Sequence, residues 1–237
     1  MEFGKTPRAG WPPRCVAWCA LACIGVAANG APASAASVGV HAFGAFNTHL
    51  MQFWNSDLEL ANAAGGRFSR LSQGVSAGGG LHAWLGESCL IELDGESLPL
   101  ETRDPPTGRG LILDALSVQL AATFMSRTHG NARFGLGGGP GYYRMRGRRV
   151  SAGATTARLS GATTARLSGA TLGLQLHARV EWSLRGWLAL TALAGYRVAD
   201  IADTKSDGVS TRPQIATDYS GLMARIGLAA GPPARKR

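Results

Sequence analysis

Along most of this chain, apolar and polar residues alternate with a period of two. In TLGLQLHARVEWSL, residues 171–184, Leu172, Leu174, Leu176, Ala178, Val180, Trp182 and Leu184 share one parity. Gly173, Gln175, His177, Arg179, Glu181 and Ser183 share the other. Successive strand side chains point to opposite faces, so this spacing predicts a strand with one oily and one polar face. The same alternation recurs at 37–46, 72–85, 88–99, 112–126, 133–146, 187–199 and 218–230, which makes eight predicted strands. The connections alternate in length. Residues 47–71 are long, with a short helix predicted over HLMQFWNSDLELANAA, and 100–111, 147–170 and 200–217 are long too. Gly86-Glu87, 127–132 and Arg185-Gly186 are short. An antiparallel meander elaborated on one rim only produces that order.

Alternation alone fits two solvents. A soluble barrel turns its apolar face inward, whereas a membrane barrel turns it to lipid and keeps a polar interior. Three features favour lipid. The polar face is poor in Lys and Glu and rich in Gly, Ser, Thr and Gln, which fit a narrow lumen. Aromatic residues (Phe46, Phe124, Phe134, Tyr142, Trp182, Trp187 and Tyr196) sit toward strand ends, where interfacial girdles form. A closed barrel also pairs every backbone polar group inside a bilayer, which an open sheet does not. The expected fold is therefore an all-β, eight-stranded, antiparallel up-and-down transmembrane barrel, with long extracellular loops and short periplasmic turns.

The amino terminus carries an export pattern. Lys5, Arg8 and Arg14 precede the apolar run CVAWCALACIGVAA, and Ala33-Ser34-Ala35 supplies a cleavage signature. Fourteen apolar residues are too few for a spanning helix, which needs about 20. The expected division is a secretory signal at 1–35, the barrel at 36–230 and a basic tail at 231–237. Cleavage leaves 21 basic against 14 acidic residues, a net +7 compared with +9 for the whole chain. Cys15, Cys19 and Cys23 lie in the signal, so Cys89 is the one mature cysteine and no internal disulfide forms. The 33 glycines, roughly double the ~7% background, lie in strands as well as loops. GATTARLS occurs at 153–160 and again at 161–168, an insertion that an exposed loop tolerates at little entropic cost.

With eight alternating strands, that loop asymmetry and phrases such as GLGGGPGYYRMRG (135–147), the chain resembles the small eight-stranded bacterial outer-membrane β-barrel proteins, the OmpA/OmpX-like superfamily. The resemblance implies residence in the outer membrane of a Gram-negative bacterium, in contact with outer-membrane lipids and lipopolysaccharide. It also implies a final aromatic residue read by the assembly machinery, where this chain has GLAAGPPARKR.

Eight strands enclose a space that side chains can fill. The inward parity carries Glu92, Asp94, Arg179, Glu181, Arg197 and Arg225, with His82, Gln119, Gln175 and His177. Buried charges require partners, which predicts an ion-pair network centred on Glu92, Arg179, Glu181 and Arg225 with no solute pore. Gly74-Val75-Ser76-Ala77-Gly78 has the G-x-S-x-G form of a hydrolase elbow but lacks the strand–turn–helix context. The glycine run 135–141 opens no helix, so it is not a nucleotide loop. Along the chain, His41, His49, His82, His129 and His177 show no metal-ligand spacing. No catalytic residue, metal or cofactor is expected. The marked feature is charge. Between Asp114 and Glu181 there are nine arginines and no carboxylate, with Arg144, Arg146, Arg148, Arg149, Arg158 and Arg166 crowding the third long loop and its approach. Guanidinium groups bind phosphate bidentately, so these six are candidate contacts for lipopolysaccharide or an extracellular acidic polymer. Export separates the chain from nucleic acid. The expectation is a monomeric, non-enzymatic, structural or adhesive barrel. The alternatives are a lipid-modifying membrane enzyme and a soluble periplasmic lipocalin-like carrier.

Overall fold

The computed structural model describes residues 36–126, 130–151, 163–210 and 215–232. The export segment, Arg158, His129 and most of the duplicated octapeptides lie outside them. Eight long strands form the wall: β1 Ala36–Thr48, β2 Gln73–Leu85, β3 Cys89–Arg103, β4 Gly110–Met125, β5 Ala132–Ser151, β6 Thr163–Arg185, β7 Leu188–Val198 and β8 Gly221–Ala230. Each pairs antiparallel with the next, and β8 returns to β1 in the register Val40↔Ala230 through Asn47↔Met223, closing the barrel. Closure leaves no long edge strand, so the wall satisfies its own backbone.

The apolar parity points outward. Val40, Val75, Leu93, Leu116, Leu136, Leu172, Leu222 and Ile226 are all exposed, Leu136 at 71%. The interior holds Glu92, Asp94, Glu96, Gln119, Gln175, His177, Arg179, Arg197 and Arg225, each at 6% exposure or less. This is the arrangement of a membrane barrel, the inverse of a soluble one.

Strands β3 to β6 run farther than the alternation predicts. The connection expected over 100–111 shrinks to a turn at 104–109, closed by Asp104 N–H to Arg109 C=O (2.9 Å) and Gly108 N–H to Asp104 C=O (2.9 Å), with Gly108 at φ +67. The third connection, expected over 147–170, likewise starts later and ends earlier, because β5 reaches Ser151 and β6 starts at Thr163. These extensions lie at the end of the barrel that carries the long loops. Their outward residues, Glu101, Arg103, Arg148 and Arg166 among them, are charged, so the oily half of the alternation is missing there.

The helix predicted in the first loop is α1, Gln52–Ala63. It buries Trp54 and Leu58, one turn apart, and lies across the outer mouth. Backbone bonds from Leu50 N–H to Ser220 C=O (3.1 Å) and Met51 N–H to Asp218 C=O (3.3 Å) hold its start. Trp54 Nε1 donates to Thr217 Oγ1 at 2.9 Å. The fourth loop adds two short ladders, Lys205–Ser206 with Val209–Ser210 and Asp200–Ile201 with Thr217–Asp218.

The lumen is consequently layered, and β3 alone displays the layers. Its inward residues are Leu90 near the short turns, then Glu92, Asp94 and Glu96, then Leu98 and Leu100 near the outer mouth. Leu90 packs with Trp84 and Met125. Leu98 and Leu100 join Met51, Trp54, Leu58, Leu113, Tyr143, Met145, Ile201 and Tyr219 in an apolar plug.

Candidate functional site

The polar layer is positioned by register, and glycine decides who meets whom. Thr123, Gly137 and His177 stand side by side on β4, β5 and β6. A Cβ on Gly137 would strike Thr123. Without it, Thr123 Oγ1 and His177 Nε2 bond across the intervening strand at 2.9 Å. His41, Gly80 and Asp94 repeat the arrangement on β1, β2 and β3, with His41 Nε2 2.7 Å from Asp94 Oδ1. The glycine runs 78–80 and 135–141 are windows through which lumen side chains reach each other.

Two ion-pair groups result. Toward the short turns, Arg179 pairs with Glu92 and places Nη2 3.5 Å from Glu181 Oε2. Toward the outer mouth, Arg225 Nη1 meets Asp94 Oδ2 at 3.1 Å, and its Nη2 meets Glu96 Oε2 at 2.7 Å and Gln119 Oε1 at 2.8 Å. Arg197 places Nη1 3.4 Å from the same Glu96 oxygen and Nη2 3.1 Å from Asn47 Oδ1, and its Nε donates to the Tyr219 carbonyl at 3.3 Å. Arg225 also lies over the Phe43 ring at 4.5 Å. Of the four residues on which the sequence centres the network, Arg179, Glu92 and Glu181 come together, whereas Arg225 belongs to the second group.

Glu96 is the hub that sequence reasoning missed. It is 1% exposed, and its Oε1 also accepts from Ser76 Oγ at 2.6 Å and Asn47 Nδ2 at 3.3 Å. It shares parity with Glu92 and Asp94, which is the signal that would have found it. The outward positions beside it, Gly95, Ser97 and Pro99, carry no oily side chain, so the alternation reads as fading there. Ser76, the serine of the G-x-S-x-G string, lies within a continuous strand as a ligand of Glu96, with no turn or helix following.

His49 sits above this layer at the start of the first loop, outside the wall. Its backbone N–H bonds the Ser72 carbonyl at 2.8 Å, and its ring meets Tyr219 edge-on at 5.6 Å. Burial, reinforced by the Arg197 charge, lowers its pKa to about 4, so the ring is neutral at physiological pH.

The arginines of the charged stretch are placed by strand parity. Arg144, Arg146 and Arg148 continue the outward face of β5 immediately after Tyr142, and all are exposed. Arg166 on β6 is exposed directly across from Arg148, and Asp114 on β4 is across from Arg146. Arg149 has the other parity, and its Nη2 meets Asp57 of α1 at 2.9 Å, tying the helix to the rim. Phe134 to Tyr142 covers eight strand steps. At a rise of ~3.4 Å and a tilt of ~40° these span roughly 20 Å of height, close to the ~25 Å apolar band of such barrels. Arg144 is the next outward residue, the first charged one after the apolar stretch.

An outward oily band, a closed backbone and an ion-paired interior define a transmembrane β-barrel of the outer-membrane type. No family model and no curated protein matches the chain. Among solved structures it is similar to Neisserial surface protein A, with 13% identity, covering 82% of this chain and 97% of that one at TM-score 0.48. It is also similar to a major outer membrane protein of Thermus thermophilus (12%, 82% and 98%, TM-score 0.48). A third is the outer membrane protein OprG of Pseudomonas aeruginosa (11%, 84% and 97%, TM-score 0.48).

Proposed function

We propose that this protein is a non-enzymatic, non-conducting barrel that anchors lipopolysaccharide through an arginine ladder on its outer wall. The supporting observation is the placement of Arg144, Arg146 and Arg148 as successive outward residues directly above Tyr142, with Arg166 beside Arg148. Every second residue of a strand lies nearly 7 Å further along, so the ladder offers guanidinium groups over roughly 14 Å of wall. They point sideways, toward neighbouring lipid headgroups, rather than up into the medium. This favours lipid phosphates over an extracellular polymer as the anion. Guanidinium suits that role because it stays charged and grips phosphate with two parallel donors. A lumen filled by ion pairs and capped by the α1 plug supports the non-conducting part of the reading.

The test is lipopolysaccharide retention by detergent-extracted, folded protein. The wild type is expected to keep bound lipopolysaccharide through detergent exchange at low salt. The triple variant R144Q/R146Q/R148Q is expected to lose most of it. R103Q, at a residue already paired with Glu101, is expected to keep it. Equal retention by the triple variant and the wild type would overturn the reading.

A further inference from the structure

One group of lumen side chains has the make-up of a metal centre. On the β1–β2–β3 part of the wall, two adjacent inward rungs read His41, Gly80, Asp94 and Gly39, His82, Glu92. Each rung has one glycine. A Cβ on Gly39 would collide with the His82 imidazole, and one on Gly80 with the β3 backbone. Two imidazoles and two carboxylates therefore gather where the wall itself is bare. One ligand atom from each of His41, Glu92 and Asp94 lies within 4.8 Å of the others. The His82 ring centroid is 5.7 Å from that of His41. All four side chains are more than nine-tenths buried. Both Nδ1 atoms are buried with no hydrogen-bond partner among the described residues.

We propose that His41, His82, Glu92 and Asp94 bind a divalent transition-metal ion. Ligand atoms around a tetrahedral ion with bonds of about 2.0–2.2 Å stand about 3.4 Å apart, so the three atoms of His41, Glu92 and Asp94 must draw closer and the His82 ring must turn toward them to close the set. The arginines act as its outer partners. Asp94 gives Oδ2 to Arg225 and keeps Oδ1 toward His41, while Glu92 engages Arg179 through Oε1. Such contacts orient ligating carboxylates.

The arginines also select the ion. Glu92, Asp94, Glu96 and Glu181 are matched by Arg133, Arg179, Arg197 and Arg225, so net charge does not draw a cation in. Bonding to imidazole must hold it, which favours zinc, cobalt or nickel over the oxygen-seeking calcium and magnesium. The route in is the short-turn mouth, where His82 lines a cavity with Trp84, Arg133 and Glu181. Sequence spacing hides the site because its ligands come from three strands.

The test is cobalt(II) titration of chelator-treated, detergent-folded full chain, read by visible absorption and by metal content after gel filtration. The wild type is expected to take up one ion per chain, displaced by zinc and not by magnesium. H41A and H82A are expected to weaken uptake at least tenfold. H177A, at a buried lumen histidine outside the group, is expected to leave it unchanged. Folding of each variant is checked by heat-modifiable gel migration. No saturable uptake by folded wild type overturns the proposal, whatever the variants do. Uptake that survives both H41A and H82A overturns it as well.

Discussion

Arg225 on β8 and Glu96 on β3 meet inside the barrel with Nη2 and Oε2 2.7 Å apart, although their strands are three places apart around the wall. Arg197 on β7 reaches the same carboxylate oxygen at 3.4 Å. One acid thus serves two guanidinium groups in a lumen without bulk water. E96A should leave both partly unpaired and cost about 3–5 kcal/mol, the usual penalty for breaking a buried pair from one side. E59A, which removes the exposed partner of Arg70, should change stability by under ~1 kcal/mol. Urea unfolding of the detergent-folded protein, followed by gel migration, measures both.

The α1 plug is the second prediction. Trp54 is 1% exposed, sits within the outer apolar cluster and donates to Thr217. W54A removes that bond and leaves a large void, a change that typically costs about 3–5 kcal/mol in a core. The loss should be local. Hydrogen exchange should rise across residues 50–63 and 217–220, while amides of β1 to β8 at membrane depth stay protected.

The outward face makes the third prediction. Leu120 lies midway along β4 between Leu116 and Phe124, facing lipid. L120R should destabilise the barrel by roughly 2–4 kcal/mol, the cost of Arg or Lys at the bilayer midplane. A soluble barrel with Leu120 on a water-facing wall would tolerate the same change almost freely. Urea unfolding in lipid vesicles separates the two.

His49 sets the fourth. Its folded pKa is lowered to about 4 from a usual value near 6.5. The unfolded segment therefore binds a proton more readily than the folded one. The contribution to stability is complete above about pH 6.5 and is lost as pH falls toward 4, amounting to roughly 3 kcal/mol at most. Limited proteolysis of the first loop should accelerate across that window, and H49F should flatten the dependence.

Eight strands, the helix in the first loop and the outward direction of the leucines were all legible in the sequence. Strand alternation is a local property, and a residue's parity fixes its face wherever one face meets oil. Legibility stopped where oil stopped. The outer ends of β5 and β6 carry Arg148, Arg166 and Ser168 on their outward face, so their alternation fades and the strands read as loop. Glu96 went unseen for the same reason, among neighbours without oily side chains.

Parity by itself assigns Glu92, Asp94, Arg179, Arg197 and Arg225 to the interior, because burial of alternate residues needs only the period of the chain. Which of them touch was decided by closure and register. Those set Arg225 against Asp94 and Glu96, aligned His41 with Asp94 across Gly80, and brought Arg166 beside Arg148. Distances across a barrel depend on how all eight strands slide past one another, and no short stretch of sequence contains that sum.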